Sequence, residues 1–373
     1  MMRVLIAAGG TGGHIYPGIA VAREIIRRDA KSVVEFVGTA RGLETRLVSQ
    51  AGFKLSLIES TGLVNMDWRQ RVRGLWLLPK SFVAARRLLK EFRPDIVIGA
   101  GGYVSGPVVM TAALLHIPTM VMESNAVPGF TNRMLARFVD KAAVSFEAAK
   151  PYFGGRAVVT GNPVRREFFD IPMKVRDPAR FSLLLFGGSQ GARAVNEAMV
   201  AALAHLGPLR DTLYVTHQTG KLDFAKVSDG YRAAGWDQRA DVREYIDDMV
   251  TAFAAADLII SRAGATTSFE LMAAGKSALM IPLPGQIEQR RNAEVLQEAG
   301  AAVMIPQAEL TGERLAREIG ALVSDPERIT RMEGASRKLA RGDAAQATVN
   351  MIEKILNDER WTRDNRQKWW KLK

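Results

Sequence analysis

The chain has 373 residues, of which 47% are hydrophobic and 24% charged, as is typical of soluble globular proteins. No apolar stretch approaches the roughly 18 to 20 residues of a membrane span, the amino terminus has no signal-peptide core, and the absence of cysteine excludes disulfides and cysteine nucleophiles. A net charge of +12 predicts an acidic partner: nucleic acid, an anionic membrane surface or a phosphorylated substrate.

The first predicted strand runs directly into a glycine-rich loop. The apolar run Val4–Ala8 precedes GGTGGH at 9–14, and Pro17 opens a helical pattern. Glycines let backbone amides approach a ligand closely, and a following helix presents unpaired N–H groups, so this order favours an anion site. The spacing matches neither G-x-G-x-x-G nor a P-loop, which argues against a dehydrogenase or a P-loop ATPase. A simple tight strand-to-helix turn remains the alternative.

Residues 68–93 carry eight basic side chains against one acid, Glu91, interleaved with tryptophan, leucine and phenylalanine. This mixture is typical of a membrane-surface element, in which cations meet anionic headgroups while apolar groups enter the interface. An amphipathic helix with its apolar face in the core is an equally good interpretation. The tail at 360–373 repeats the composition, and a disordered basic end fits it as well as a membrane anchor does.

Strands and helices alternate along both halves of the chain. Strands are predicted near 3–8, 33–37, 95–99, 119–122, 142–145, 157–159, 182–186, 213–216, 241–243, 257–261, 278–281 and 302–304. This alternation predicts an α/β protein with two Rossmann-like, doubly wound parallel sheets. We expect domains at 1–163 and 164–340, followed at 341–373 by a helix that packs back on the first domain and a basic aromatic tail.

The second half repeats the beginning of the first. The apolar run Leu183–Phe186 leads into GGSQGA at 187–192, and DLIISRAGA at 257–265 matches DIVIGAGG at 95–102 in its acidic residue, apolar strand and small-residue turn. Ligands of open α/β sheets bind at the carboxyl ends of the strands. Two such sheets with opposed carboxyl edges would form an interdomain cleft, the usual arrangement of a nucleotide-sugar transferase.

Glu270 is the only ionisable residue between Ala263 and Gly275, on a helix predicted to begin near Gly264. A carboxylate among apolar neighbours needs hydrogen-bond donors, and a ribose diol supplies two. The alternatives are a solvated helix face or an ion pair with Arg262 or Lys276.

His14 ends the first glycine loop and is a candidate general base, because its ordinary pKa near 6.5 suits proton transfer from a sugar hydroxyl. A purely structural role is the alternative. The paired Asp247 and Asp248 diverge on a helix and are predicted to cap one, so no metal site is expected.

The motifs together resemble the MurG family. GGTGGH, GGYVSGP at 101–107, GNPVR at 161–165, GGSQGA, HQTG at 217–220, YIDDM at 245–249 and SRAGATTSFE at 261–270 occur in the order found in that family. The resemblance covers residues 1–357. It implies a two-domain GT-B fold and an inverting, metal-independent transfer without a cofactor, from UDP-N-acetylglucosamine to an undecaprenyl-diphosphate-linked N-acetylmuramyl pentapeptide.

The resemblance also assigns roles to residues. On the donor side, backbone groups around Ile246 would meet the uracil, and Glu270 would hold the ribose. The remaining donor contacts would be Arg165, Ser189, Ala265, Thr266 and Thr267 at the diphosphate, with Gln289 and Asn292 at the sugar. On the acceptor side the residues would be Thr11, Gly12, Gly13, His14, Tyr103 and Asn125. Glu288 and Ser124 depart from the family pattern, so their contacts are not assigned.

As partners we therefore expect the UDP-sugar, the lipid-linked acceptor and anionic lipid at the cytoplasmic face of the plasma membrane, and no nucleic acid.

Two other functions remain open. A UDP-sugar-dependent diacylglycerol glycosyltransferase would share the loops, Glu270 and the basic segment. A nucleic-acid-binding protein would account for the charge alone, but the chain has no RNA-binding aromatic signature.

Overall fold

The computed structural model describes residues 1–10, 12–40, 42–59, 68–188 and 190–358, with the backbone alone described for 68–78. These residues form two compact units. The amino-terminal unit contains Met1–Val164 and the described residues from Asp343 onward, and the carboxyl-terminal unit contains Arg165–Gly342.

The amino-terminal unit is built on a parallel sheet with the order β3-β2-β1-β4-β5-β6-β7. Its strands are β1 (Arg3–Ala8), β2 (Val33–Gly38), β3 (Lys54–Leu57), β4 (Ile96–Gly101), β5 (Thr119–Glu123), β6 (Lys141–Val144) and β7 (Ala157–Val159). Its helices are α1 (Gly12–Arg28), α2 (Glu44–Gln50), α3 (Trp68–Phe92), α4 (Ser105–Leu114), α5 (Phe130–Leu135), α6 (Lys150–Phe153) and α14 (Ala344–Asn357). The strand order reverses between β1 and β4, so the loops after these two strands lie at the switch point.

The core of this unit has two layers, one on each face of the sheet. On one face the buried stripe of α1, which includes Ile15 and Ile19, packs with Val349 and Ile352 of α14. On the other face α3, α4 and α5 cover the sheet. The last described helix therefore belongs to the core of the amino-terminal unit.

The carboxyl-terminal unit has a parallel sheet with the order β10-β9-β8-β11-β12-β13. Its strands are β8 (Phe181–Phe186), β9 (Leu213–Gln218), β10 (Ala240–Arg243), β11 (Leu258–Ser261), β12 (Ala278–Met280) and β13 (Ala302–Met304). Its helices are α7 (Arg193–Ala202), α8 (Phe224–Ala233), α9 (Met249–Ala255), α10 (Ala265–Ala274), α11 (Ile287–Glu298), α12 (Gly312–Val323) and α13 (Pro326–Leu339). Here the order reverses between β8 and β11, which places the loop after β8 and the start of α10 at the switch point.

The structure confirms the predicted class of two doubly wound parallel sheets. The sequence prediction omitted β3, an edge strand paired with β2. Within the described residues, no helix combines the length and apolar character needed to cross a bilayer.

Candidate active site

The amino terminus of α10 has the geometry of an anion-binding position. Gly264 precedes the helix in extended conformation, and Ser268 donates the first helical hydrogen bond, to the Gly264 carbonyl oxygen at 2.9 Å. The N–H groups of Ala265, Thr266 and Thr267 therefore have no intrahelical partner. The Thr266 hydroxyl is buried, and no described group is bonded to it. Unpaired amides and the positive end of the helix dipole favour a phosphate here.

The second glycine loop, residues 187–192, lies at the same end of the sheet. Gly188 has φ +90° and Gly191 has φ +76°, in the left-handed region that favours glycine. A Cβ at Gly191 would overlap the carbonyl oxygen of Thr219, so the loop can pack tightly against the end of β9 only with glycine at this position. Ser189, which the resemblance assigned to the diphosphate, lies outside the described residues.

A cavity of about 550 Å³ lies between this loop and α10. Its volume falls within the roughly 300 to 1,000 Å³ of small-molecule sites. The residues that line it include Gly188, Gly191, Arg193, Arg262, Thr267 and Gln289. Three parts of the carboxyl-terminal unit that the sequence connected only by motif are thus brought together: the glycine loop, the start of α10 and the start of α11.

Glu270 lies one turn into α10, with its side chain 16% exposed. Burial raises the pKa of its carboxyl group to about 7, and the charge of Arg165 opposes that rise. The Arg165 guanidinium lies 3.8 Å from Glu270 Oε1. Arg262 donates to the Ile281 carbonyl oxygen and Lys276 to that of Ala256, so the alternative of an ion pair between Glu270 and either residue is wrong.

The predicted sugar contacts differ in exposure. Gln289 Oε1 accepts a hydrogen bond from the Leu283 N–H at 3.0 Å, and the residue lines the cavity. Asn292 is fully buried and donates to the Ala263 carbonyl oxygen at 3.2 Å. In this structure the Asn292 side chain therefore holds the turn that precedes α10, so a contact with a sugar hydroxyl would require it to move.

In the amino-terminal unit, His14 lies in the first turn of α1 with Nδ1 3.2 Å from the Gly9 carbonyl oxygen. Burial lowers the pKa of the imidazole, and the Gly9 bond opposes that shift. A neutral ring that donates from Nδ1 keeps its lone pair on Nε2, which is the form that a general base needs. Gly101, at φ +112°, packs against this ring, and a Cβ there would overlap the imidazole.

The first glycine loop is braced by a carboxylate that sequence reasoning did not identify. Glu44, fully buried at the start of α2, accepts hydrogen bonds from the N–H of Gly10 at 3.2 Å and of Thr39 at 2.8 Å. Gly12 and Gly13 begin α1, whereas Thr11 lies outside the described residues. The sequence shows an acidic residue at the start of the helix that follows β2. It does not indicate that the carboxylate of this residue binds the glycine loop.

Asn125 is oriented by a second buried carboxylate. Glu123 Oε1, at the end of β5, accepts from the Asn125 backbone N–H at 2.8 Å and from its side-chain Nδ2 at 3.1 Å. Burial raises the pKa of Glu123, and hydrogen bonds from Asn125, Asn132 and Gly129 oppose that rise. The neighbouring Ser124 is buried and donates to Asn162 Oδ1 at 2.8 Å, which is a structural contact. Tyr103 is 50% exposed in the turn after β4.

Comparison with known proteins supports the family resemblance independently of the site geometry. Residues 4–144 match the N-terminal domain of glycosyltransferase family 28, and residues 182–348 match its C-terminal domain. A UDP-N-acetylglucosamine–N-acetylmuramyl-(pentapeptide) pyrophosphoryl-undecaprenol N-acetylglucosamine transferase of an Anaeromyxobacter strain is 47% identical over 96% of this chain and 95% of its own. The enzyme of the same name from Myxococcus xanthus is 44% identical over 95% and 94%. The crystal structure of MurG from Acinetobacter baumannii superposes with a TM-score of 0.79, at 32% identity, over 95% of this chain and 100% of that one.

The chain belongs to the MurG family of glycosyltransferases.

Membership confirms the resemblance drawn from the motifs and makes the protein an enzyme of glycosyl transfer. The individual site residues stay predictions, since the comparisons name families and not side chains. Asp248 caps α9 as predicted, accepting from the Thr251 N–H at 3.0 Å. Among the described residues, no group of three or more histidine or acidic side chains is arranged to hold a metal ion.

Proposed function

We propose that this enzyme transfers N-acetylglucosamine from UDP-N-acetylglucosamine to the 4-hydroxyl of the N-acetylmuramyl unit of an undecaprenyl-diphosphate-linked pentapeptide, with inversion at the anomeric carbon. The observation that carries the proposal is the first turn of α10. Thr266 and Thr267 lie four and three residues before Glu270 and therefore on the same helix face. One helix turn thus offers amides for a diphosphate beside a carboxylate for a ribose diol.

In this proposal the carboxyl-terminal unit holds the donor. The diphosphate binds the amides at the start of α10, and the ribose hydroxyls donate to Glu270. Arg165, 3.8 Å from Glu270, offers a positive charge to the leaving diphosphate. Negative charge grows on that group as the bond to the sugar breaks, so the amides and the guanidinium stabilise the transition state more than the ground state. Gln289, on the cavity wall, is placed to meet the sugar.

The amino-terminal unit holds the acceptor, with Gly12, Gly13, Tyr103 and Asn125 as the proposed contacts. His14 Nε2 takes the proton of the muramyl 4-hydroxyl as that oxygen forms its bond to the anomeric carbon. The bond from that carbon to the diphosphate oxygen breaks at the same time, and UDP leaves. The new linkage is β because the hydroxyl attacks the face opposite the α-linked UDP.

The test is incubation of the purified protein with radiolabelled UDP-N-acetylglucosamine and a short-chain muramyl lipid analogue. We expect a labelled disaccharide lipid, with equal yield in the presence of EDTA. A parallel incubation with UDP-galactose and diacylglycerol is the control for the other lipid transferase. Product in that incubation alone would overturn the proposal, and loss of activity with EDTA would overturn its metal-independence.

We further propose that the enzyme acts as a peripheral protein at an anionic membrane face. Helix α5 and its following turn expose Met134 and Phe138, at 57% and 51%, next to the exposed cations Arg133 and Arg137. Apolar groups flanked by cations match the requirements of an anionic lipid surface. This feature lies outside the segment 68–93 that sequence analysis selected.

In α3 the described side chains fit an amphipathic helix with its apolar face in the core, and the membrane-surface interpretation stays a prediction. Ser81, Ala85 and Leu89 are buried on one face, whereas Arg87 and Lys90 are exposed. The helix therefore contributes to the core and also presents cations. The side chains of 68–78 and the tail from 359 lie outside the described residues, so the prediction that they touch lipid stays open.

A vesicle-sedimentation assay tests the membrane proposal. We expect binding to phosphatidylglycerol vesicles that weakens with added salt, because screening shortens the reach of surface charges. The double variant Met134→Ser with Phe138→Ser should bind several-fold less, while Leu222→Ser, which changes a residue 82% exposed on the other unit, should bind like the wild type. Equal binding of the wild type to neutral vesicles, or full binding by the double variant, would contradict it.

A further inference from the structure

Gln218 joins two segments that the MurG resemblance assigns to the donor nucleotide: the backbone around Ile246 to its uracil, and the loop that contains Ser189 to its diphosphate. The residue ends β9 and is 2% exposed. Its Oε1 accepts from the Ile246 N–H at 2.8 Å, and its Nε2 donates to the Gly188 carbonyl oxygen at 3.0 Å. Because one contact needs an acceptor and the other a donor, the two together fix the orientation of the amide.

The sheet explains why this position reaches both segments. β9 lies between β8 and β10, with Gln218 in register with Phe186 on one side and Arg243 on the other. The glycine loop begins directly after Phe186, and Ile246 follows three residues after Arg243. The side chain at the end of the middle strand is therefore the natural bridge between the two flanking loops.

The backbone around Gln218 is tied to the same two segments. Thr219 donates from its N–H to the Arg243 carbonyl oxygen at 2.9 Å, and Gly220 does so to that of Glu244 at 3.1 Å. On the other side, the same backbone packs tightly on the glycine loop: a Cβ at Gly191 would overlap the Thr219 carbonyl oxygen, and a Cβ at Gly220 would overlap that of Gln190. Gln218 is the side chain that completes this link, since it alone touches both Gly188 and Ile246 among the bonds of the described residues.

The chemical nature of Gln218 suits a neighbour that binds phosphate. Its Nε2 covers a carbonyl oxygen, which would repel an anion, and itself occupies none of the amides of the loop. A carboxylate at this position would keep the bond to Ile246 but would lose the donor and add a negative charge beside the loop. A neutral amide is therefore the side chain that braces both segments without lowering anion affinity.

We propose that Gln218 is a positioning residue for the donor: it fixes the distance between the segment of Ile246 and the glycine loop of Gly188, so that the base and diphosphate of the nucleotide are bound without further ordering of the protein. The inference rests on the proposed function. A ligand that bridges two segments binds tightly when both are already held in place, because less ordering occurs on binding. Loss of the brace should thus weaken the donor and leave the acceptor unaffected.

The test uses full-length Q218M, which keeps the length of the side chain and removes both hydrogen bonds. We expect the KM for UDP-N-acetylglucosamine to rise at least tenfold, with kcat and the acceptor KM within about threefold of wild type, as for a loss of ground-state donor binding. Gln238→Met, on an exposed turn of the same unit, is the matched control and should change neither. A donor KM within twofold of wild type, or equal rises in the donor and acceptor KM, would overturn the inference.

The variant Q218E provides a readout that a purely structural role would not give. Its ionised carboxylate can accept from Ile246 but cannot donate to Gly188, whereas its protonated form can do both. Relative to wild type at the same pH, donor affinity of Q218E should recover as the pH falls. A constant ratio between the two proteins across pH 5.5 to 8.5 would contradict the brace, and the same measurement decides the matter if Q218M does not fold.

The activity of the wild-type protein distinguishes failure of the proposed function from failure of the Gln218 inference. If the wild-type protein forms no disaccharide lipid, the transfer proposal falls whatever Gln218 does. The Kd of UDP, measured by calorimetry on wild type and Q218M, then tests the brace by itself. An unchanged Kd would reject it, and a tenfold rise would support it.

Discussion

The two glycine loops have similar sequences but are braced by side chains of opposite character. In the amino-terminal loop, residues 9–14, the Gly10 N–H donates to Glu44 Oε2 at 3.2 Å. In the carboxyl-terminal loop, residues 187–192, the Gly188 carbonyl oxygen accepts from Gln218 Nε2 at 3.0 Å. In the amino-terminal loop, Glu44 occupies a backbone N–H that could bind an anion and adds a negative charge. In the carboxyl-terminal loop, Gln218 covers a carbonyl oxygen and adds no charge.

From this difference we infer that the glycine pattern alone does not determine how strongly a loop binds an anion. Amides and a helix dipole attract a diphosphate, but a carboxylate within hydrogen-bond distance of the same amides repels it. We therefore expect the carboxyl-terminal loop to be the stronger diphosphate site. Among the described residues of the amino-terminal loop, the amides of Gly12 and Gly13 at the start of α1 are donors that an acidic acceptor could use.

The largest effect should come from the side chain that only one loop has. GGTGGH ends in His14 where GGSQGA ends in Ala192, and burial lowers the pKa of the His14 imidazole. We expect His14→Ala to lower kcat by about 10² to 10⁴, the usual contribution of a general base. The wild-type kcat at saturating donor should fall on the acid side with a midpoint below pH 6.5, since the neutral ring is the base. Persistence of that acid limb in the variant would assign the proton transfer to another group.

A variant of Glu270 tests whether the carboxyl-terminal unit binds the donor. In the proposed complex, the ribose diol donates two hydrogen bonds to the charged carboxylate of Glu270. Glu270→Gln removes that charge and should raise the donor Kd by on the order of 10² at pH 8. Below pH 7 the difference between the two proteins should shrink, because the raised pKa of about 7 leaves the wild-type carboxyl increasingly protonated. Donor binding near pH 6.5 should release a proton in the wild type, as calorimetry in buffers of different ionisation enthalpy would detect. Equal release by the variant would remove the ribose role.

The same pKa has a consequence for the unliganded protein. The carboxyl of Glu270 titrates near its ordinary value when unfolded and at about 7 when folded. Its raised folded-state pKa stabilises the fold fully below pH 4.5, and this contribution is lost as the pH rises through 7. Glu270→Gln should therefore flatten the decline in unfolding temperature over that window. The donor reverses the trend, because it supplies hydrogen bonds to the ionised form.

Much of the fold was predictable because its signals are local. Strands followed by glycine loops and apolar stripes at helical spacing, such as Val195, Met199 and Ala202, occur where the structure has β8 and α7. The edge strand Lys54–Leu57 escaped prediction, since it is short and only partly buried and therefore lacks a continuous apolar run. His217, the first residue of HQTG, is fully buried and lies within hydrogen-bond distance of Tyr231 and Asn196, which is a structural role.

The contacts that hold the site together could not be predicted in the same way. Gly10 and Glu44 are 34 residues apart, and Gly188 and Gln218 are 30 apart. These pairs meet only because neighbouring parallel strands bring their carboxyl ends to one edge of a sheet. Sequence motifs identified the backbone of each loop, whereas the side chains that brace it depend on strand order, which spacing along the chain does not reveal.

Glu44→Gln is the smallest predicted effect and the sharpest test of the difference between the loops. The carboxylate accepts from the Gly10 N–H and from both the N–H and the hydroxyl of Thr39, so an amide in its place turns an NH2 group toward one of these donors. One partly exposed N–H then loses its protein partner, at a cost of about 0.5 to 1.5 kcal/mol, and the unfolding midpoint should fall. Glu91→Gln makes the same charge change at an exposed position of the same unit and should leave the midpoint unchanged. The effect of Glu44→Gln on the donor is a separate measurement. The donor KM of this variant should equal that of the wild type, because this brace belongs to the acceptor unit. If the donor KM instead rose as much as in Q218M, the two braces would be equivalent in function. The distinction between a charged acceptor loop and a neutral donor loop would then fail.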